Sequence, residues 1–87
     1  MASYNVFLKR SAAKELEAIP RAADRRRVVD RIRRLSEDPR PVESEKLAGR
    51  EDRLRIRQGD YRIVYAVHDR DRTVIVIKIA HRKDVYR

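Results

Sequence analysis

The chain has no cysteine and no tryptophan, only two glycines, three prolines and one phenylalanine in 87 residues. Without cysteine there is no disulfide staple, no thiol nucleophile and no thiolate metal site, and a reducing compartment is permitted. Two glycines cannot build a phosphate-binding loop, so no nucleotide cofactor is implied. The two histidines, His68 and His81, stand apart, and the acids show none of the spacings of a metal site. No cofactor or metal is therefore expected. No apolar run approaches the ~20 residues of a membrane helix, so no membrane contact is expected. The opening MASYNVFLKRSA sets its basic pair after a short apolar stretch and has none of the long apolar region of a secretion signal. The expected location is the cytoplasm.

Acid is also scarce relative to base. Fourteen Asp and Glu face 23 Lys and Arg, a net charge of +9. Such a balance steers a protein toward polyanions and makes its binding salt-dependent. Arginine-rich codon usage gives the same balance in ordinary proteins, so the positions of the arginines have to decide. The length supports one domain over residues 1–87, with a modest core, since so short a chain buries only ~60–65% of its unfolded surface.

Tyr4 to Leu8 alternates as a short strand. Ser11 is placed to cap a short helix whose inner face carries Leu16 and Ile19, with Ala12 or Ala13 allowing close approach. Pro20 separates it from a second helix, Arg21 to Ser36, with a stripe of Val28, Ile32 and Leu35 and Val29 beside it. Arg26, Arg27, Arg31, Arg33 and Arg34 surround that stripe. Asp38-Pro39-Arg40-Pro41 stops the helix. Val42 to Asp52 reads as a connector, with Leu47 as its anchor and Gly49 as its turn. Three strands follow, Arg53 to Arg57, Tyr61 to Val67 and Thr73 to Ala80, joined at Gly59-Asp60 and at His68 to Arg72. Val74 to Ile77 is apolar on both faces, as in a central strand covered by helices.

Within RLRIRQGDYRIVYAV (Arg53 to Val67), period-two geometry sends Arg53, Arg55 and Arg57 to one face and Leu54 and Ile56 to the other. Arg62 joins that open face if its strand pairs in the right register. Three guanidiniums on one face form an array of planar forks suited to phosphate. They also repel one another without an anion. Arg53, Arg70 and Arg72 read as ordinary surface arginines. In the tail, HRKDVYR, His81 is a candidate proton carrier because histidine titrates near neutrality. Arg82 can stabilise charge developing on a reacting phosphate, and Tyr86 can stack on a base. These are parts for RNA cleavage without metal, with the RNA's own 2′-hydroxyl as nucleophile.

The opening strand, the arginine-rich helical hairpin, the KLAG turn at Lys46 to Gly49, RLRIRQGDYRIVYAV and HRKDVYR together resemble the RelE/ParE superfamily of bacterial toxins, and its RelE-like branch most closely. The resemblance implies an α+β fold, a twisted antiparallel sheet of about four strands with an N-terminal helical hairpin on one face. It implies a type II toxin, neutralised by an antitoxin encoded beside it, that cuts messenger RNA in the A site of the 70S ribosome. It places the basic catalytic groups at Arg55, Arg57, Arg62, Arg82 and Tyr86, with Arg57 and Arg62 on the phosphoryl oxygens, Arg55 orienting the backbone, Tyr86 stacking and Arg82 at the leaving 5′-oxygen. Lys46 and Lys83 complete the cations expected to meet RNA phosphate. Products would be a 2′,3′-cyclic phosphate and a 5′-hydroxyl end. This reading requires Arg57, Arg62 and Arg82 to share one anion-sized space.

The chain departs from the best-known relatives, which place lysines where it has Arg55 and Arg57. Lysine can give up its proton and arginine effectively cannot. Either His81 serves as the base, although alternation aims it away from Arg82, or orientation carries the reaction without a strong base. The alternatives are a ParE-like inhibitor of DNA gyrase on the same scaffold, a non-catalytic nucleic-acid-binding module, and an interaction protein whose charge reflects codon usage.

Overall fold

Side chains alternating at period two build the sheet, and apolar residues three and four apart build the helices over it. The computed structural model describes residues 3–84, apart from the side chains of Arg50 and Glu51. The order is β1 (Asn5–Leu8), α1 (Arg10–Glu17), α2 (Ala22–Arg34), β2 (Glu45–Leu47), β3 (Arg50–Gln58), β4 (Tyr61–His68) and β5 (Thr73–His81), followed by a 3-10 turn at Arg82–Asp84.

The α+β class stands, with two differences from expectation. The sheet has five strands, in the order β1-β5-β4-β3-β2, and it is mixed, because β1 runs parallel to β5. The fifth strand is β2, inside the stretch expected to be a connector. Its three residues are too short for sequence alternation to announce them, and they form by pairing with β3, Glu45 to Arg55 and Lys46 to Leu54. The parallel pairing follows from the crossover. α1, α2 and three strands intervene between β1 and β5, so the chain returns beside its start in the same direction.

The helices cover one face, with α1 over β5 and α2 near β3. Val28, Ile32 and Leu35 from α2 and its end meet Leu54, Ile56, Ile63, Tyr65, Val74, Val76 and Ile79 from the sheet, with Ala12 and Ile19 beside them. Each fully buried aliphatic side chain of this kind contributes about 1.5–3 kcal/mol of transfer free energy. Ser11 does not cap α1. Lys9 takes the N-cap position without a side-chain bond, and its N–H is spent on the Val76 carbonyl of β5 at 2.9 Å. The helix start is thus fixed by the sheet instead of a hydroxyl. α2 has acid (Asp24) in its first turn and Arg31, Arg33 and Arg34 in its last, which suits the helix dipole. Of these, Arg31, one of the arginines around the apolar stripe, is not on the surface. It is buried, 7% exposed, and donates to Glu43.

β5 lies inside the sheet as expected, but helices cover only one of its faces. Tyr65, fully buried, donates its hydroxyl to the Pro39 carbonyl at 2.7 Å and so anchors the segment after α2. Tyr65→Phe is expected to cost about 1–2 kcal/mol in urea denaturation, with an unchanged circular dichroism spectrum.

At the far end of the sheet, Asp69 accepts bonds from Arg40 at 2.9 and 2.8 Å and from the Tyr4 hydroxyl at 2.7 Å. Chiefly the Arg40 bond, then the Tyr4 bond, hold its carboxyl down at about 2. A depressed folded pKa contributes stability above the unfolded value, lost as pH falls through the folded one. Asp69→Asn should therefore flatten the loss of stability between about pH 4 and pH 2, read from urea midpoints across that range.

Candidate nucleic-acid interface

The helices leave the other sheet face uncovered, and that face carries the arginines. Leu54 and Ile56 are buried at 5% and 1%, so Arg55 and Arg57 between and beyond them point away from the core. The hairpin of β3 and β4 pairs Gln58 with Tyr61, hence Arg57 with Arg62 and Arg55 with Val64. Arg62 therefore stands directly across from Arg57, with Cβ atoms roughly 4.5–5.5 Å apart as in any cross-strand pair.

Arg55, Arg57 and Arg62, together with Glu43, Glu45 and Ile56, line a cleft of about 430 Å³. A second cleft of about 210 Å³ adjoins it, lined by Leu47, Arg55, Arg62, Val64, Lys78, Ala80 and Asp84. Arg55 and Arg62 are common to both. Glu45 accepts a bond from Arg55 Nη2 at 2.8 Å. The Arg55 bond, and then its charge, hold the Glu45 carboxyl below its usual range, with smaller contributions from Arg62 and Arg57. The field of all three guanidiniums thus converges where Glu45 sits, and it is a field that favours anions.

The remaining candidates lie elsewhere. Lys46 pairs with Leu54, so alternation sends it away from the face that carries Glu45 and Arg55. His81 ends β5 opposite Tyr61, and the two rings meet edge to face at 5.3 Å. Its Nδ1 accepts the Lys83 backbone N–H at 3.2 Å, which leaves Nε2 to carry the proton of the neutral ring. It lines neither arginine cleft. Lys83 is exposed in the 3-10 turn and also lines neither.

Arg82 departs from the expectation that it shares one space with Arg57 and Arg62, since it lines neither cleft. Its N–H bonds the Asp60 carbonyl at 2.7 Å, and its Nε lies 3.7 Å from the Asp60 carboxylate, both side chains being largely exposed. Asp60 belongs to the turn that joins the Arg57 and Arg62 strands, so Arg82 is fixed at the same end of the sheet. Tyr86 lies outside the described residues. No group of three or more acids and histidines suited to a metal occurs among the described residues, and none of their helices is long and apolar enough to cross a membrane.

Glu43, Glu45 and Lys78 were not anticipated at this site. The signal for the acids is the period-two spacing of Glu43, Glu45 and Leu47, all of which line the clefts. It becomes legible once β2 is known to be a strand. Like charges placed directly opposite in a sheet are destabilising. Arg57→Gln is expected to raise stability by up to ~1 kcal/mol in low salt, the gain shrinking as salt screens the pair. Urea titrations at two salt concentrations check both parts.

The chain matches, over residues 6–86, the family model described as ParE toxin of type II toxin-antitoxin system, parDE. It is 29% identical to a putative toxin RelE1 of Methanocaldococcus jannaschii, over 97% of this chain and 96% of that protein. The toxin-antitoxin complex RelBE2 of Mycobacterium tuberculosis contains a chain of similar fold, with a TM-score of 0.83 and 27% identity over 97% of each chain. The archaeal RelE-RelB complex of Pyrococcus horikoshii does likewise, with a TM-score of 0.82 and 31% identity over 95% of this chain and 99% of that one.

Proposed function

From the chain's membership of the RelE/ParE superfamily of type II toxin-antitoxin toxins, to which it belongs, we propose that it is a ribosome-dependent, metal-independent endoribonuclease. Its substrate is messenger RNA in the A site of the 70S ribosome, and its neutralising partner is a cognate antitoxin from an adjacent gene. The relatives solved as complexes with RelB support that partner. The observation that carries the reading is the cross-strand pairing of Arg57 with Arg62 in a cleft they share with Arg55. Such an array is built to hold a phosphodiester and to gain interaction as it becomes the more highly charged pentacoordinate species.

In this mechanism the ribosome and the arginine face hold one linkage with its 2′-hydroxyl in line with the phosphorus. That positioning supplies much of the rate. The 2′-hydroxyl gives its proton to solvent water as its oxygen bonds to phosphorus, and the 5′-oxygen takes a proton from water as its bond to phosphorus breaks, leaving a 2′,3′-cyclic phosphate and a 5′-hydroxyl. Arg57 and Arg62 take the developing negative charge, and Arg55 orients the strand. The cleft offers no strong base. Arginine stays protonated, Glu45 is made a weak base by its cationic neighbours, and His81 faces Tyr61. Electrostatic stabilisation and alignment therefore do the work that a base shares in other nucleases. In the free chain Arg82 is held at Asp60 and does not share the cleft with Arg57 and Arg62, so the reading requires that RNA running over the Gly59-Asp60 turn draw it to the leaving side of the linkage. An exposed ion pair of that length holds it by about 1 kcal/mol or less. Tyr86 stacks on the flanking base.

The ParE name of the matching family model favours a second reading, inhibition of DNA gyrase. One experiment separates the two. Purified protein is added to a reconstituted translation system with a programmed A-site codon, and new mRNA ends are mapped by primer extension, while supercoiling by gyrase is followed in parallel. Ribosome-dependent ends that fall at least ~100-fold with Arg62→Ala, and persist with His81→Ala, are expected. Intact mRNA beside inhibited supercoiling would establish the second reading instead.

A further inference from the structure

The arginine cleft carries its own anion. Glu43 and Glu45 both reach it, but their roles differ. Glu43 is engaged by the buried Arg31 of α2. Glu45 instead lies across the sheet from Arg55 and accepts its Nη2 at 2.8 Å. The carboxylate is two-thirds exposed, at 67%, while the guanidinium it holds is 32% exposed. A carboxylate presents to an arginine fork the same two-oxygen pattern as a phosphodiester. It is small, solvated on its outer side and mounted on an edge strand of three residues.

We propose that Glu45 is a specificity-determining residue, an intramolecular stand-in for phosphate that RNA displaces from Arg55 on entering the cleft. The inference rests on the RNA reading above and concerns what the site rejects. Arg57 and Arg62 alone attract any polyanion at their end of the sheet. Adding Arg55 requires a strand whose phosphate outcompetes a tethered carboxylate. An untethered single strand at low concentration does this poorly. A strand already held in position by another body, such as the ribosome, does it well, because its entropy of docking has been met elsewhere. Glu45 thereby suppresses non-specific RNA binding and makes occupancy of the full arginine set depend on presentation.

The test uses the whole chain and a single-stranded 2′-O-methyl oligoribonucleotide, which lacks the nucleophile and cannot be cut, followed by fluorescence anisotropy from about 50 to 200 mM KCl. Glu45→Gln keeps an acceptor for Arg55 and removes the charge. It should bind up to about fivefold more tightly than wild type, the range expected when an exposed ion pair worth about 1 kcal/mol or less no longer competes. Its log K against log salt should be steeper by about 0.7, one additional neutralised phosphate on a single strand. Glu37→Gln makes the same change in net charge at an exposed position just beyond α2, and it should leave the slope unchanged. If Glu45→Gln matches Glu37→Gln, only net charge matters and the proposal fails. Weaker binding by Glu45→Gln, or unchanged binding with lost ribosomal cleavage, would overturn it as well, the latter by placing Glu45 in the chemistry. Because the anisotropy needs no cleavage, a changed slope beside an inactive wild type would reject the nuclease reading while keeping Glu45 as the gate.

Discussion

A turn of two residues, Gly59-Asp60, sets the register from which the rest of the site follows. Gln58 pairs with Tyr61 across it, and each further pair is then determined. Gly59 has φ +60°, a left-handed conformation that glycine adopts without the Cβ clash other residues incur. A glycine at the first central position is the mark of a type II′ hairpin turn, whose twist suits the strands it joins. One residue more or fewer would slip β4 against β3 and turn each of its side chains to the opposite face. Ile63 and Tyr65 would leave the core and Arg62 would enter it. Core and site are therefore specified together. The same turn also receives the Arg82 N–H on its Asp60 carbonyl, so it positions the start of the tail.

The one-sided cover of the sheet follows from the same alternation, with a single irregularity where β4 meets β5. Tyr65 pairs with Val76 but Val64 pairs with Lys78, so Ile77 is an extra residue, a β-bulge. Without it, Val76 and Ile79, three apart, would face opposite ways. With it, both are buried against the helices, at 0% and 4% exposure. The bulge also aligns Ala80 with Arg62. A small side chain beside the guanidinium leaves the space that becomes the second cleft, where a larger one would fill it. Lys78, at the bulge, reaches Glu15 of α1 at 3.1 Å and lines that cleft as well. It ties the helix layer to the basic face.

What the sequence made legible was what alternation controls. Leu54, Ile56, Val28, Ile32 and Leu35 were placed in the core, and Arg55 and Arg57 outside it, because each belongs to a segment long enough to show its period. Arg62 was only conditionally assigned, since its face depends on pairing between strands and not on its own strand. β2 was missed because three residues carry too little pattern, and Glu45 was missed with it. Arg31 stands in the sequence only as one of the arginines around the apolar stripe, with nothing local to mark it as buried. Its burial depends on Glu43, twelve residues away across the proline-rich segment, and no local pattern encodes that pairing. The bulge at Ile77 was invisible because Val74 to Ile77 is apolar at every position. Arg82 was assigned to the cleft through resemblance, whereas the 3-10 turn at Arg82–Asp84 carries it to Asp60.

The use of arginine in place of lysine at Arg55 and Arg57 ties these features into one electrostatic problem. Closely spaced lysines can relieve their repulsion, because a neighbouring positive charge lowers the pKa and one amine releases its proton. Arginine has no such outlet within the range of pH a protein survives. A face of three arginines therefore keeps its full charge, and the repulsion has to be met by a counter-ion or by burial of something else. Glu45 meets it at Arg55, and Asp60 meets it at Arg82. Both acids belong to exposed pairs whose partners are candidate phosphate ligands. Exposed pairs are weak, so a polyanion held over the face can exchange for both at little cost. Arg31 could not give up Glu43 so, because its own guanidinium is buried and separation would strand a desolvated charge. The distribution of acids thus divides the arginines by task. The buried guanidinium of Arg31 holds the fold, and Arg55 and Arg82, paired at the surface, are kept soluble and ready for an anion.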